Sequence, residues 1–124
     1  MKGPFLNKVL FVGLVAFPPE LKYTLNGVSV LTFQIKIKRH IGHKTEGKTG
    51  EVYDYFTIIA WRELAEEMAN VLKKDDLVYV EGRMRIRTYE KRSGERKSIL
   101  EIIANEIYLL NPENMNKEGL DGTS

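Results

Sequence analysis

The chain has 124 residues, 43% of them hydrophobic and 10% aromatic, which suits one domain with a true core. Its net charge is only +2, so no overall basic field marks a polyanionic partner, and what matters is where the charges sit. There is no cysteine, which excludes a disulfide framework, a thiolate metal site and a cysteine nucleophile; no run approaches the ~20 apolar residues of a membrane span and the start does not read as a signal peptide, so a soluble cytoplasmic domain is expected.

Residues 6–13, Leu-Asn-Lys-Val-Leu-Phe-Val-Gly, are β-branched and apolar and predict a first strand. Pro18 and Pro19 lack the N–H that a ladder needs, so that strand stops there. Thr24-Leu25-Asn26-Gly27 is a hairpin turn, the Asn-Gly pair supplying positive φ. In the second strand Leu31, Phe33, Ile35 and Ile37 alternate with Thr32, Gln34, Lys36 and Lys38. The polar, glycine-bearing stretch 40–51 predicts a mobile loop.

The aromatic run 53–61 is a third strand. Helical spacing of Leu64, Ala65, Met68, Val71 and Leu72 then predicts a helix of about three turns over 62–72. Lys73 and Lys74 would suit the negative end of its dipole. Residues 77–89 form a fourth strand, Ser93-Gly94 a turn, and 97–110 a fifth strand. Residues 111–124 are polar and predict a disordered tail. The expected organisation is one domain over 1–110 and a tail over 111–124, without internal repeats. Five short strands with a helix between the third and fourth give an all-β architecture, the five-stranded Greek-key barrel of the OB-fold.

Period two places Arg83, Arg85, Arg87 and Tyr89 on one face of the fourth strand, with Met84 and Ile86 opposite. Three arginines ~6.6 Å apart repel one another unless anions bind there, and guanidinium groups both match phosphates and stack on flat rings. The plain alternative is a solvated face, although such faces usually mix signs. On the third strand Tyr53, Tyr55, Thr57, Ile59 and Trp61 share one face, while Phe56, Ile58 and Ala60 share the other. Both faces are apolar, so periodicity leaves open which is inside. An exposed Tyr55–Trp61 row beside the arginine row would make a stacking platform in a positive groove, the means by which sequence-tolerant single-strand binders work. Lys36, Lys38 and Arg39, with Lys44 and Lys48 in the loop, extend the positive track.

Other chemistries find little support. The helix carries Glu63, Glu66 and Glu67, which a phosphate-lined major groove would repel. His40 and His43 have no neighbouring acid and too few companions for a metal site. No phosphate loop, serine elbow or carboxylate pair is visible, so no catalytic residue, metal or cofactor is expected.

Several segments in order resemble the bacterial single-stranded DNA-binding protein family: Asn7-Lys8-Val9-Leu10-Phe11-Val12-Gly13, Pro19-Glu20-Leu21-Lys22-Tyr23, Asn26-Gly27, Leu64-Ala65-Glu66, Val78-Tyr79-Val80-Glu81-Gly82-Arg83, and Arg85-Ile86-Arg87-Thr88-Tyr89 followed by Ser93-Gly94. The resemblance spans about residues 5–110. It implies a non-enzymatic OB-fold that assembles as a homotetramer and wraps single-stranded DNA during replication, recombination and repair, associated with the nucleoid. The family's stacking positions fall on Tyr55, Trp61 and Tyr89, with tyrosine at two places where many members carry tryptophan. A further aromatic position falls on His40 or Ile41. Family cations match Lys8, Lys36, Lys74, Arg85 and Arg87, which joins them to Lys38 and Arg83 as the expected DNA-binding set. The stretch 8–12 is the implied subunit contact. Family members typically end in an acidic tip closing with Pro-Phe; this sequence ends Gly119-Leu120-Asp121-Gly122-Thr123-Ser124, so tail-mediated recruitment is not expected. Two related readings remain open: a primosome-type accessory protein, usually dimeric, and an RNA- or tRNA-binding OB module.

Overall fold

The computed structural model describes residues 3–40 and 51–111. Its elements run β1 (Val9–Val15), β2 (Glu20–Tyr23), β3 (Ser29–Lys38), β4 (Tyr53–Trp61), α1 (Arg62–Ala69), β5 (Leu77–Glu90) and β6 (Arg96–Leu109). The sheet order is β1-β5-β6-β4-β3-β2, and β1 also pairs with β3, so five strands close into a ring. Every pairing is antiparallel except β4 with β6. With α1 in the crossover between β4 and β5, this is the expected OB-fold.

The inside of the ring follows the alternation of β3. Leu31, Phe33 and Ile35 are buried and meet Ile58 and Ala60 of β4, Val78 and Val80 of β5, and Ile102 and Ala104 of β6. Ala65 and Met68 of α1 and Leu72 just beyond it join this cluster. Each fully buried large side chain contributes roughly 1.5–3 kcal/mol relative to exposure. Closure also needs β1 to approach β3 closely. A Cβ on Gly13 would stand 2.8 Å from the Lys36 carbonyl oxygen, so the crossing depends on the missing side chain.

Some expectations need revision. The two prolines do end β1, but the chain returns at once as β2, a four-residue edge strand paired from Glu20–Thr32 to Tyr23–Ser29. Its polar, half-aliphatic composition hid it. The helix stops at Ala69, shorter than the predicted 62–72. The Val71 and Leu72 amides still donate to the Met68 carbonyl, which keeps Leu72 in phase and buried, but Lys73 and Lys74 lie past the helix end. Both hairpin turns share one closure: the Thr24 and Lys91 amides donate four residues ahead, and Gly27 and Gly94 donate back to Thr24 and Lys91. Only the glycines take positive φ, at 84° and 94°, so Asn26 does not play the part assigned to it. Asn111, expected to begin the tail, is anchored: it accepts from the Leu77 amide and donates to Asp76. The rest of the predicted tail, and residues 41–50 of the predicted loop, lie outside the described residues.

Candidate nucleic-acid interface

Burial decides which face of β4 is inside. Phe56, Ile58 and Ala60 turn to the core, and the Phe56 ring stacks on Phe11 at 4.5 Å. The Tyr53–Trp61 row therefore faces outward, with Tyr55 53% exposed, Trp61 half-buried and Ile59 covered at 7% exposure. Strand register then sets what lies beside it. On one side Lys38, Lys36, Gln34, Thr32 and Val30 of β3 pair with Tyr53, Tyr55, Thr57, Ile59 and Trp61. On the other, Thr57 and Ile59 pair with Glu101 and Ile103 of β6. Across β6, Ile103, Glu101, Ile99 and Lys97 pair with Arg83, Arg85, Arg87 and Tyr89 of β5. Residues opposite one another share a face, so the aromatic and cationic rows form one four-stranded outer surface.

The structure thus brings Lys36, Lys38, Tyr55, Trp61, Arg83, Arg85, Arg87 and Tyr89 together. Lys8 stands just before β1, its ammonium 3.4 Å from Glu81, two residues before Arg83 on β5. Lys74 is off the sheet, in the turn between α1 and β5, and pairs with Asp75 at 3.6 Å. Of the peripheral aromatic position, His40 is described and exposed; Ile41, Lys44, Lys48 and His43 lie outside the described residues.

The arginine row is not of one sign, as β5 alone suggested. Glu101 of β6 enters between Arg85 and Arg87 with its side chain only 4% exposed. Its Oε1 accepts from Arg85 Nη2 at 2.7 Å, and Arg87 donates Nε and Nη2 to Oε2 at 3.2 and 2.9 Å. The Arg87 hydrogen bond, with further help from Arg85, holds the Glu101 carboxyl below its ordinary range against the opposing effect of burial. Arg85 Nε is buried and has no partner among the described residues. The Arg87 guanidinium carbon lies 6.0 Å from the Tyr89 ring centroid.

At the β3 edge, the Lys36 ammonium sits 4.7 Å over the Tyr53 ring. Tyr53 donates to Glu51 at 2.8 Å, and Lys38 reaches the same carboxylate at 3.2 Å, which together lower the Glu51 carboxyl. Arg39 is committed to Asp54 at 2.6 Å. On this face Lys36, Arg83 and Lys97 meet no carboxylate at ion-pair distance among the described residues, so free positive charge lies along it. No three His, Asp or Glu side chains among the described residues converge as metal ligands. The surface offers π-faces and cations.

Sequence reading missed Glu101 as part of this surface and, although it put Tyr53 on the right face, gave it no role there. A signal for Glu101 existed: it is the single acid within Ile99-Leu100-Glu101-Ile102-Ile103, and a carboxylate in such a run needs a cationic partner.

Comparison with known proteins adds three findings. Residues 6–110 match the model of the single-strand binding protein family. Single-stranded DNA-binding protein A of Bacillus subtilis is 36% identical over 117 residues, 94% of this chain and 66% of the relative. Single-stranded DNA-binding protein 2 of Listeria monocytogenes is 35% identical over 114 residues, covering 92% of this chain and 69% of its own. The chain therefore spans about two thirds of the length of these curated relatives. Among solved structures, a Plasmodium falciparum SSB complexed with ssDNA superposes with TM-score 0.76 at 24% identity, covering 90% of this chain and 100% of that one. That likeness concerns the fold.

Proposed function

Because this chain belongs to the single-strand binding protein family, we propose that it binds single-stranded DNA with little sequence preference on the outer face of β3, β4, β6 and β5. One observation carries this reading. The register puts exposed Tyr55 and Tyr89 and half-buried Trp61 on the same surface as Lys36, Lys38, Arg83, Arg85 and Arg87. Every base has a π-face, so stacking on tyrosine and tryptophan holds a strand without reading it, while the cations neutralise phosphates. Lys8 extends the track past Arg83, and Lys74 acts only where the strand leaves the sheet.

The protein is a binding module in this reading, not an enzyme. It protects cytoplasmic DNA unwound in replication, recombination and repair, with residues 1–111 as the binding domain and 112–124 as an appended tail. It works as a homotetramer built through β1. In support, β1 turns Leu10 and Val12 outward, 57% and 50% exposed, beside the stacked Tyr79 and Tyr108 rings.

The test uses Trp61, the one tryptophan. Titration with oligo-dT at two salt concentrations quenches its fluorescence, with an affinity that falls as salt rises. Absence of both quenching and binding would overturn the reading.

A further inference from the structure

Glu101 occupies the place where an arginine pair on a DNA-binding face would be expected to meet a phosphate. It is an internal anion, almost wholly buried, and it accepts from both neighbours: one N–H of Arg85 through Nη2, and the Nε–Nη2 edge of Arg87. The Nε–Nη2 edge of Arg87 is taken up by this carboxylate and Arg85 gives it one Nη2 N–H, while the flat faces of both guanidinium groups remain open. The Arg87 and Arg85 side chains keep 48% and 36% of their exposure, so these faces are reachable. The pair also lies amid flat rings. Arg87 is opposite Ile99, with Tyr89 two residues on, and Tyr55 lies two residues before Thr57, the β4 partner of Glu101.

Resting on the single-stranded DNA reading, we propose that Glu101 is a positioning residue that turns Arg85 and Arg87 from phosphate ligands into stacking surfaces. The two guanidinium planes then continue the row of π-faces begun by Tyr55 and Tyr89. One negative charge offsets one of the two positive ones, and the Arg87 fork is held in one orientation. Phosphate neutralisation is left to the cations of this face without a carboxylate partner among the described residues, Lys36, Arg83 and Lys97. The arrangement favours strands with bases over equally charged strands without them.

The experiment measures binding of the full chain to two fluorescently labelled oligomers of equal length, oligo-dT and an abasic strand, by anisotropy across a salt series. Glu101→Gln keeps the shape but removes the charge and releases the arginines. It is expected to steepen the salt dependence for oligo-dT by about 0.7 for each phosphate newly engaged, and to tighten binding of the abasic strand. Arg87→Lys keeps the charge but removes the plane, and is expected to lower the ratio of oligo-dT to abasic affinity by about fivefold or more. An unchanged slope in Glu101→Gln, or an unchanged ratio in Arg87→Lys with both strands weakened alike, overturns the proposal. Should Glu101→Gln not fold, Arg87→Lys decides alone. A wild-type protein that binds neither oligomer would instead refute the single-stranded DNA reading itself.

Discussion

Gly82 of β5 lies so close to the Ile103 carbonyl of β6 that a Cβ placed there would run into the carbonyl oxygen. The pair sits at a break in register: Glu81 opposes Glu106 but Gly82 opposes Ala104. The extra residue lies on β6, and beyond Gly82 β5 no longer pairs with β1 but runs on with β6 as the hairpin that carries Arg83 to Tyr89.

Gly82→Ala therefore strains backbone against backbone, with no flexible side chain to yield. The expected cost is at the upper end of the ~1–3 kcal/mol typical of overpacking, read as a lower urea midpoint with an unchanged slope. A variant as stable as the parent would show that the bulge relaxes.

The stacking residues should separate binding from folding. Tyr55 is 53% exposed, so Tyr55→Ala is expected to change stability by no more than ~0.5 kcal/mol. If a base stacks on it, affinity for oligo-dT falls by ~1–3 kcal/mol, while Tyr55→Phe retains most of it. Tyr89→Ala should behave alike. Equal affinities of Tyr55→Ala and wild type in anisotropy titrations would remove Tyr55 from the binding surface.

Much of this was legible beforehand because it rests on period two. Leu31–Phe33–Ile35 and the Arg83–Tyr89 row were placed on their correct faces, and the element order gave the barrel. What escaped notice depends on neighbours distant in sequence. The inner face of β4 could be read only from burial, since both of its faces are apolar. The ion pairing of Arg85 and Arg87 depends on β6 lying at that register. Glu101 is 14 residues beyond Arg87 in the chain, and the alternation within β5 cannot anticipate it. The edge strand β2 was lost because four mixed residues make too short a pattern.

The pH dependence of stability follows from the same triad. The Glu101 carboxyl is held below the ordinary glutamate range in the fold, chiefly by the Arg87 hydrogen bond. A depressed folded value means that the stabilisation is present above the unfolded pKa and is lost as pH falls through the folded one. Asp54 and Glu51 are lowered too, by Arg39 and by Tyr53 with Lys38, and add to the acid loss. Urea unfolding of wild type and Glu101→Gln between pH 7 and pH 3 isolates the one carboxyl: the gap between them should narrow as pH falls. A gap independent of pH would contradict the ion-pair geometry.

The outward side of β1 leads to the last prediction. Leu10 opposes Glu81 and Val12 opposes Tyr79, whose ring stacks 5.8 Å from Tyr108. Two apolar side chains half open to water, continuous with a pair of rings, gain by being covered, at roughly 25 cal/mol for each Å² of apolar surface removed. Around them the charges are few: Lys8 pairs with Glu81, and the Tyr79 and Tyr108 hydroxyls donate to Glu81 and Glu106. A subunit docking here would keep these pairs at its rim and exclude water at Val12. Val12→Asp places an unpaired carboxylate at the centre of such a contact, and burying it would cost more than the contact gains. Light scattering is therefore expected to show a multiple of 14.3 kDa for the wild type and a smaller species for Val12→Asp. The same mass for both proteins would move the subunit contact away from β1.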